Sequence, residues 1–263
     1  MRDRAVCPRS EILMDIQRAR LAISLVDLTD LSDDADDGGT DDLCDRAMAA
    51  GTAAVCVWPD FVARAARRLA GSPVAVATVV NFPSGADRAF ATGVVVERAL
   101  ADGADEVDVV LPYSAFVAGD RRRCDEVLST VRSATAGRAL MKVILETGEL
   151  QGVDVIVDAA RFAIGHGADF VKTSTGKTPV SATPEAARAM LDAIAAAGRP
   201  VGLKPSGGIR TVEDAEVYLA LAEGVMGEGF LRPGSFRFGA SGLLDALLAA
   251  AGGSSSSVVG EGY

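Results

Sequence analysis

Short apolar runs alternate with longer amphipathic stretches along most of this chain. The runs at residues 23–28, 53–57, 74–80, 106–111, 140–145, 170–173, 202–204 and 236–239 have strand length and are rich in Val, Ile and Leu. Between them, the stretches 41–50, 61–70, 87–102, 121–135, 153–165, 183–197, 211–223 and 242–251 carry the three-to-four-residue apolar spacing of helices. A further helix is expected near residues 10–20, ahead of the first strand. Short, largely apolar runs, each followed by a helix, predict a parallel sheet covered by crossover helices.

Helix punctuation agrees with this spacing. Thr183-Pro184-Glu185 places a capping hydroxyl, a proline at the first helical position and an acid in the first turn, and Gly198 closes the far end. Thr211 and Asp214 have the spacing of a capping box. The last four strands start roughly 30 residues apart, about one βα unit each. Eight such units close most simply into a (β/α)8 TIM barrel of α/β class. An open doubly wound sheet is the competing arrangement, but no G-x-G-x-x-G follows the first strand. Residues 1–251 are therefore expected to form one barrel domain with an N-terminal helix. Residues 252–263, Gly-Gly-Ser-Ser-Ser-Ser-Val-Val-Gly-Glu-Gly-Tyr preceded by Ala251, are expected to be a flexible C-terminal tail.

Composition narrows the function classes. With 49% hydrophobic residues the 263-residue chain has material for a large core, and no apolar run reaches the ~20 residues of a membrane helix. Arg2, Asp3, Arg4, Glu11 and Asp15 interrupt the first residues, so a secretory signal is not expected and a cytoplasmic location is. Cys7, Cys44, Cys56 and Cys124 are widely spaced and expected to stay reduced. A net charge of −10 argues against nucleic acid as a partner. The acidic stretch 33–42 reads as a turn feeding acids into a helix N-terminus rather than a calcium loop, because the EF-hand spacing is missing. The single histidine, His166, falls where a helix should end and reads as structural, so histidine-based triads and metal sites are not expected.

What remains for chemistry is an unusual use of lysine. Only four of the 26 lysines and arginines are lysines, namely Lys142, Lys172, Lys177 and Lys204, and all lie in or just after predicted strands. Arginine stays protonated at any working pH, whereas a desolvated amine can be tuned to attack a carbonyl. Strand parity sets Asp108 opposite the aliphatic face of Val107, Val109 and Leu111, hence toward the barrel interior, with Glu106 on its side. The same parity groups Lys142 with Glu146, Phe170 with Lys172, and Gly202 with Lys204. Three interior lysines need carboxylates, for which Asp27, Asp108 and Glu146 are the candidates. The cluster is either a buried ionic lattice or an active site. Its place at strand C-termini favours the second. Lys172 is then the nucleophile, Lys204 the cation that lowers its pKa, and Asp108 a general acid/base. Lys204-Pro-Ser-Gly-Gly208 and Gly239-Ala-Ser-Gly242 can converge backbone N–H groups on an anion after strands seven and eight, with Thr175 and Lys177 nearby.

These residues lie in motifs that resemble the deoxyribose-phosphate aldolases, a family of class I, Schiff-base aldolases. The matching pieces are Leu25-Val-Asp-Leu-Thr29, Ala53-Ala-Val-Cys-Val-Trp-Pro59, Gly103-Ala-Asp-Glu-Val-Asp-Val-Val110, Lys142-Val-Ile-Leu-Glu-Thr-Gly148, the stretch 167–177, Lys204-Pro-Ser-Gly-Gly-Ile-Arg210 and Arg237-Phe-Gly-Ala-Ser241. The resemblance implies a (β/α)8 barrel that reversibly splits 2-deoxy-D-ribose 5-phosphate into D-glyceraldehyde 3-phosphate and acetaldehyde, in deoxyribonucleoside catabolism, with no metal or organic cofactor. By motif, Lys172 resembles the Schiff-base lysine, Lys204 the proton-relay lysine and Asp108 the proton-shuttling carboxylate. Asp27 and Cys56 resemble residues near substrate. Gly207, Gly208, Gly239 and Ser241 resemble the phosphate loop, and Tyr263 a C-terminal tyrosine that assists proton exchange in some members. Gly242 departs from the pattern, standing where relatives often have a second serine. A related Schiff-base aldolase or transaldolase, or a non-catalytic phosphosugar-binding barrel, stays open as an alternative, as does a homodimer.

Overall fold

The computed structural model describes residues 14–252. Eight parallel strands, β1 (Val26–Thr29), β2 (Ala54–Val57), β3 (Ala75–Val80), β4 (Glu106–Val110), β5 (Leu140–Ile144), β6 (Phe170–Lys172), β7 (Gly202–Lys204) and β8 (Phe238–Ala240), run in the order β7-β6-β5-β4-β3-β2-β1-β8. Every neighbouring pair from β7 round to β8 is laddered in parallel. The ring closes between β7 and β8 through two isolated bridges, Leu203 to Phe236 and Ser206 to Gly239. This is the (β/α)8 barrel that the spacing predicts.

Ten α-helices lie among the described residues: α1 (Ile16–Ser24), α2 (Asp37–Ala50), α3 (Val62–Arg68), α4 (Ala89–Ala101), α5 (Tyr113–Val117), α6 (Arg121–Thr135), α7 (Val153–Gly165), α8 (Pro184–Ala195), α9 (Val212–Met226) and α10 (Leu243–Ala250). Their boundaries follow local chemistry. Asp36 caps α2 through the Gly39 N–H, so the acidic stretch starts the helix earlier than its apolar spacing indicates. Thr183 caps α8, with proline in its first turn, and Thr211 with Asp214 forms a complete capping box on α9. His166 closes α7, its ring nitrogens engaging the Phe162 carbonyl and Asp125. The run expected to form the first strand from residue 23 instead completes α1, because Ile23 packs into the helix-facing core and the chain turns at Leu25.

The two faces of the sheet differ in chemistry. Outward-facing Val107, Val109 and Leu111 join the large cluster that buries the helices. Inside the barrel, Ala54 and Cys56 of β2 and Ala77 and Val79 of β3 form a small apolar cluster with Leu31. The opposite side of the interior carries the buried ionic residues Asp27, Glu106, Asp108, Lys142, Lys172, Lys204 and Arg237, with Phe170 among them. Barrel closure thus separates an apolar wall from a charged one.

Candidate active site

Asp108 sits at the centre of the charged wall, fully buried. One carboxylate oxygen accepts from Lys142 Nζ at 2.9 Å; the other accepts from Lys172 Nζ at 2.9 Å and Lys204 Nζ at 2.8 Å. Ladder register brings this about: Asp108 pairs with Lys142 across β4 and β5, and Lys172 with Lys204 across β6 and β7. The three lysines that strand parity turns inward therefore converge on one carboxylate, the Asp108 that parity also placed there.

A second tier completes the lattice. Asp27 bonds Lys142 Nζ at 3.1 Å and also pairs with Lys204 and Arg237. Glu106 pairs with Lys142, and with Arg237 Nη2 at 2.9 Å. Lys142 thus touches three carboxylates, and Lys204 and Arg237 two each. Lys172 touches only Asp108, which it shares.

That difference sets the titration order. Burial pushes the Lys172 amine below the ordinary lysine range, Asp108 opposes, and Lys204 adds to the lowering. Burial would do the same to Lys204 and Lys142, yet Asp108 and Asp27 hold Lys204 above that range, and Asp108, Asp27 and Glu106 hold Lys142 well above it. Despite burial, the lysines keep Asp108 well below the usual carboxylate range. The sequence assigned the lowering of Lys172 to Lys204. In the structure desolvation is the larger cause and Lys204 the helper.

Two further assignments change. Glu146, expected among the carboxylates that balance the lysines, does not join them. Strand β5 ends at Ile144, and Glu146 takes a left-handed backbone at φ 55°, so interior parity no longer applies to it. Its buried carboxylate accepts from the Thr175 N–H at 3.2 Å and from the Thr175 and Thr178 hydroxyls. Glu106 takes the balancing role, together with Arg237. Parity had already set Glu106 on Asp108's face; Arg237 lies in the run 236–239 expected as the eighth strand, to which no parity was assigned, and immediately precedes the observed β8.

Above the lattice lies a cleft of about 300 Å³ whose lining includes Thr29, Thr175, Lys177, Gly207, Gly208 and Ser241. Gly239 also lines it, and a side chain there would meet Ser206 Oγ at 2.5 Å and the Lys204 stem at 3.1 Å, so only glycine lets β8 approach so closely. Gly207 has φ 82° and faces Ser181 at similar range. Ser241 and Gly242 lead into α10, whose first N–H groups are unpaired within the helix. Lys177 is exposed on the rim, 3.9 Å from Asp33. Cys56 is fully buried on the apolar wall, and burial pushes its thiol up. Tyr263 lies outside the described residues.

An interior lysine with a single shared counterion, set beneath a glycine-lined cleft at the C-terminal end of a barrel, is the arrangement of enzymes that attack carbonyls with an amine. Residues 21–244 match the model of the DeoC/LacD family aldolases, and the chain belongs to that family. It is 48% identical over 259 residues to a deoxyribose-phosphate aldolase of Agrobacterium fabrum, covering 95% of this chain and 99% of that one. Among solved structures it is similar to a candidate deoxyribose-phosphate aldolase from Coccidioides immitis, at 32% identity and TM-score 0.79, over 88% of this chain and 86% of that chain. A deoxyribose phosphate aldolase from Aeropyrum pernix, described as tetrameric, matches at 26% identity and TM-score 0.72, over 89% and 96%.

Proposed function

We propose that the chain reversibly cleaves 2-deoxy-D-ribose 5-phosphate to D-glyceraldehyde 3-phosphate and acetaldehyde, with Lys172 as the nucleophile. The observation that carries this reading is the arrangement of ion pairs, in which Lys172 alone among the interior lysines depends on one shared carboxylate. It is the amine that loses its proton most readily.

The neutral Lys172 amine adds to C1 of the open-chain sugar, and the carbinolamine loses its hydroxyl as water when Asp108, recharged from Lys204, supplies the proton. Asp108 starts as a carboxylate and takes a proton only in transit between donors. Asp108, a carboxylate again, then takes the C3 hydroxyl proton as the C2–C3 bond breaks; its electrons flow into the iminium to give an enamine, and the three-carbon aldehyde phosphate leaves. Protonation at C2 and attack of water on the iminium release acetaldehyde and restore the amine. Throughout, the phosphate rests on the Gly207, Gly208, Gly239 and Ser241 backbone, with Lys177 supplying charge at the rim.

A cytoplasmic location and a phosphosugar partner go with this activity, and among the described residues no helix is long and apolar enough to cross a membrane. Association of two copies has support in the exposed Phe90 and Val94 of α4 and in the tetrameric state of the Aeropyrum pernix relative. The decisive experiment is borohydride reduction in the presence of acetaldehyde, followed by peptide mass spectrometry. An ethyl group on Lys172 is the expected product. Label elsewhere, or none where a control aldolase reacts, refutes the assignment.

A further inference from the structure

Arg237 and Glu106 lie deeper in the barrel than the residues that meet substrate, yet both are almost completely buried and bonded to the partners of the catalytic groups. A buried guanidinium is costly to desolvate and needs a compensating role. The contiguous lattice holds four cationic side chains, Lys142, Lys172, Lys204 and Arg237, against three carboxylates, Asp27, Glu106 and Asp108. It is therefore neutral only when one of the cations has given up its proton. Lys142, Lys204 and Arg237 are each held by two or more carboxylates, which leaves Lys172.

We propose that Arg237 and Glu106 are a positioning pair that decides how much of Asp108 is left to Lys172, and so how much of that amine is free to attack. The inference rests on the Schiff-base reading of Lys172 and deepens it. The route is short. Arg237 occupies Asp27 and Glu106, so neither can draw Lys142 and Lys204 fully away from Asp108. Without Arg237 those lysines settle on Asp27 and Glu106, and Asp108 is left to pair with Lys172 and keep it protonated. Without Glu106, Lys142 leans further on Asp108 and Lys172 is freer still. The groups facing Lys172 are Asp108 from β4, Lys204 from β7 and Cys56 from β2, while Lys142 of β5 reaches it only through the other oxygen of Asp108. Asp27 of β1 and Arg237 act at second hand through Lys204 and Lys142, and Glu146 is turned away onto Thr175 and Thr178.

The test is the pH midpoint of Lys172 ethylation by acetaldehyde and cyanoborohydride, read by mass spectrometry on the full chain. The amine adds to the aldehyde, water leaves, and hydride from the reagent reduces the imine carbon. Arg237→Met should raise the midpoint by about one pH unit, a tenfold shift in the ratio of protonated to neutral Lys172 amine. Glu106→Gln should lower it by a similar amount. Arg237→Lys should stay near wild type, and Arg237→Met combined with Glu106→Gln should return to it. A folded Arg237→Met protein with the wild-type midpoint overturns the proposal. Should that variant not fold, an unchanged midpoint in Glu106→Gln overturns it instead. Absence of any label on wild-type Lys172 removes the Schiff-base reading itself, a result distinct from labelled protein whose midpoints do not move.

Discussion

Replacing Asp108 with asparagine separates the three things this carboxylate does. It is the common acceptor for Lys142, Lys172 and Lys204, at 2.8 to 2.9 Å. Removing one partner of a buried ion pair costs about 3–5 kcal/mol. Here the lower end applies, because Lys142 keeps Asp27 and Glu106, Lys204 keeps Asp27, and Lys172 can shed its proton. At 2–4 °C per kcal/mol for a chain of this size, Tm should fall by on the order of 10 °C. Loss of a positioned proton carrier should lower kcat by about 10²–10⁴-fold. Lys172, however, loses the one carboxylate it contacts, so ethylation by acetaldehyde and cyanoborohydride should begin at lower pH than in wild type. The two assays must part company: turnover collapses while the amine becomes more available. Cleavage of deoxyribose 5-phosphate within tenfold of wild type, or a folded variant whose Lys172 labels only at higher pH, would refute the roles given to both residues.

Two further outcomes follow from geometry. Glu146→Ala removes the acceptor that holds Thr175, whose hydroxyl in turn accepts from the Lys177 N–H at 3.0 Å. KM for deoxyribose 5-phosphate should rise about tenfold, the worth of one or two hydrogen bonds, while kcat/KM for unphosphorylated deoxyribose stays within about twofold; equal losses on both substrates would contradict a role at the rim. The second concerns pH. Asp27 and Asp108 are held below the usual carboxylate range in the folded chain, Asp27 by Lys142, Lys204 and Arg237 against the effect of burial. They stabilise the fold above that range, and the stabilisation is lost as pH falls, starting below about pH 5. Lys142 and Lys204 are raised, so their contribution is complete below the ordinary lysine value and is lost as pH climbs through their higher folded values. A urea midpoint that does not move between pH 7 and pH 3 would contradict this ion-pair account.

Much of the site is legible because strand parity is a local rule. A two-residue period suffices to set Asp108, Lys142, Lys172 and Lys204 on the interior face, and the ladders bear this out. Capping at Thr183 and Thr211 is equally local. The rule fails where the strand stops. Glu146 is two residues past β5, where a left-handed backbone redirects its carboxylate, and no period signals that change. Arg237 lies between the bridge at Phe236 and β8, and its partners are 210 and 131 residues away in sequence, so only closure of the ring reveals them. The five-residue helix α5 is too short to show a period. Cause, too, is partly hidden: sequence supplies the neighbour that lowers Lys172, but desolvation depends on the walls that fold around it.

The seam between β7 and β8 has a consequence for how the molecule responds to substrate. Elsewhere the staves are joined by continuous ladders; at this seam two bridges suffice, and the loops that leave it, through Gly207 on one lip and Ser241 on the other, line the anion cleft. An anion bound there is gripped from both lips at once and acts as an extra rung across the least-laddered joint of the ring. Because Lys204 belongs to one lip and Gly239, packed on its stem, to the other, tightening the hoop also fixes the Lys204 cation that shares an Asp108 oxygen with Lys172. On the proposed reading, the substrate phosphate would then brace the ring as well as anchor the sugar.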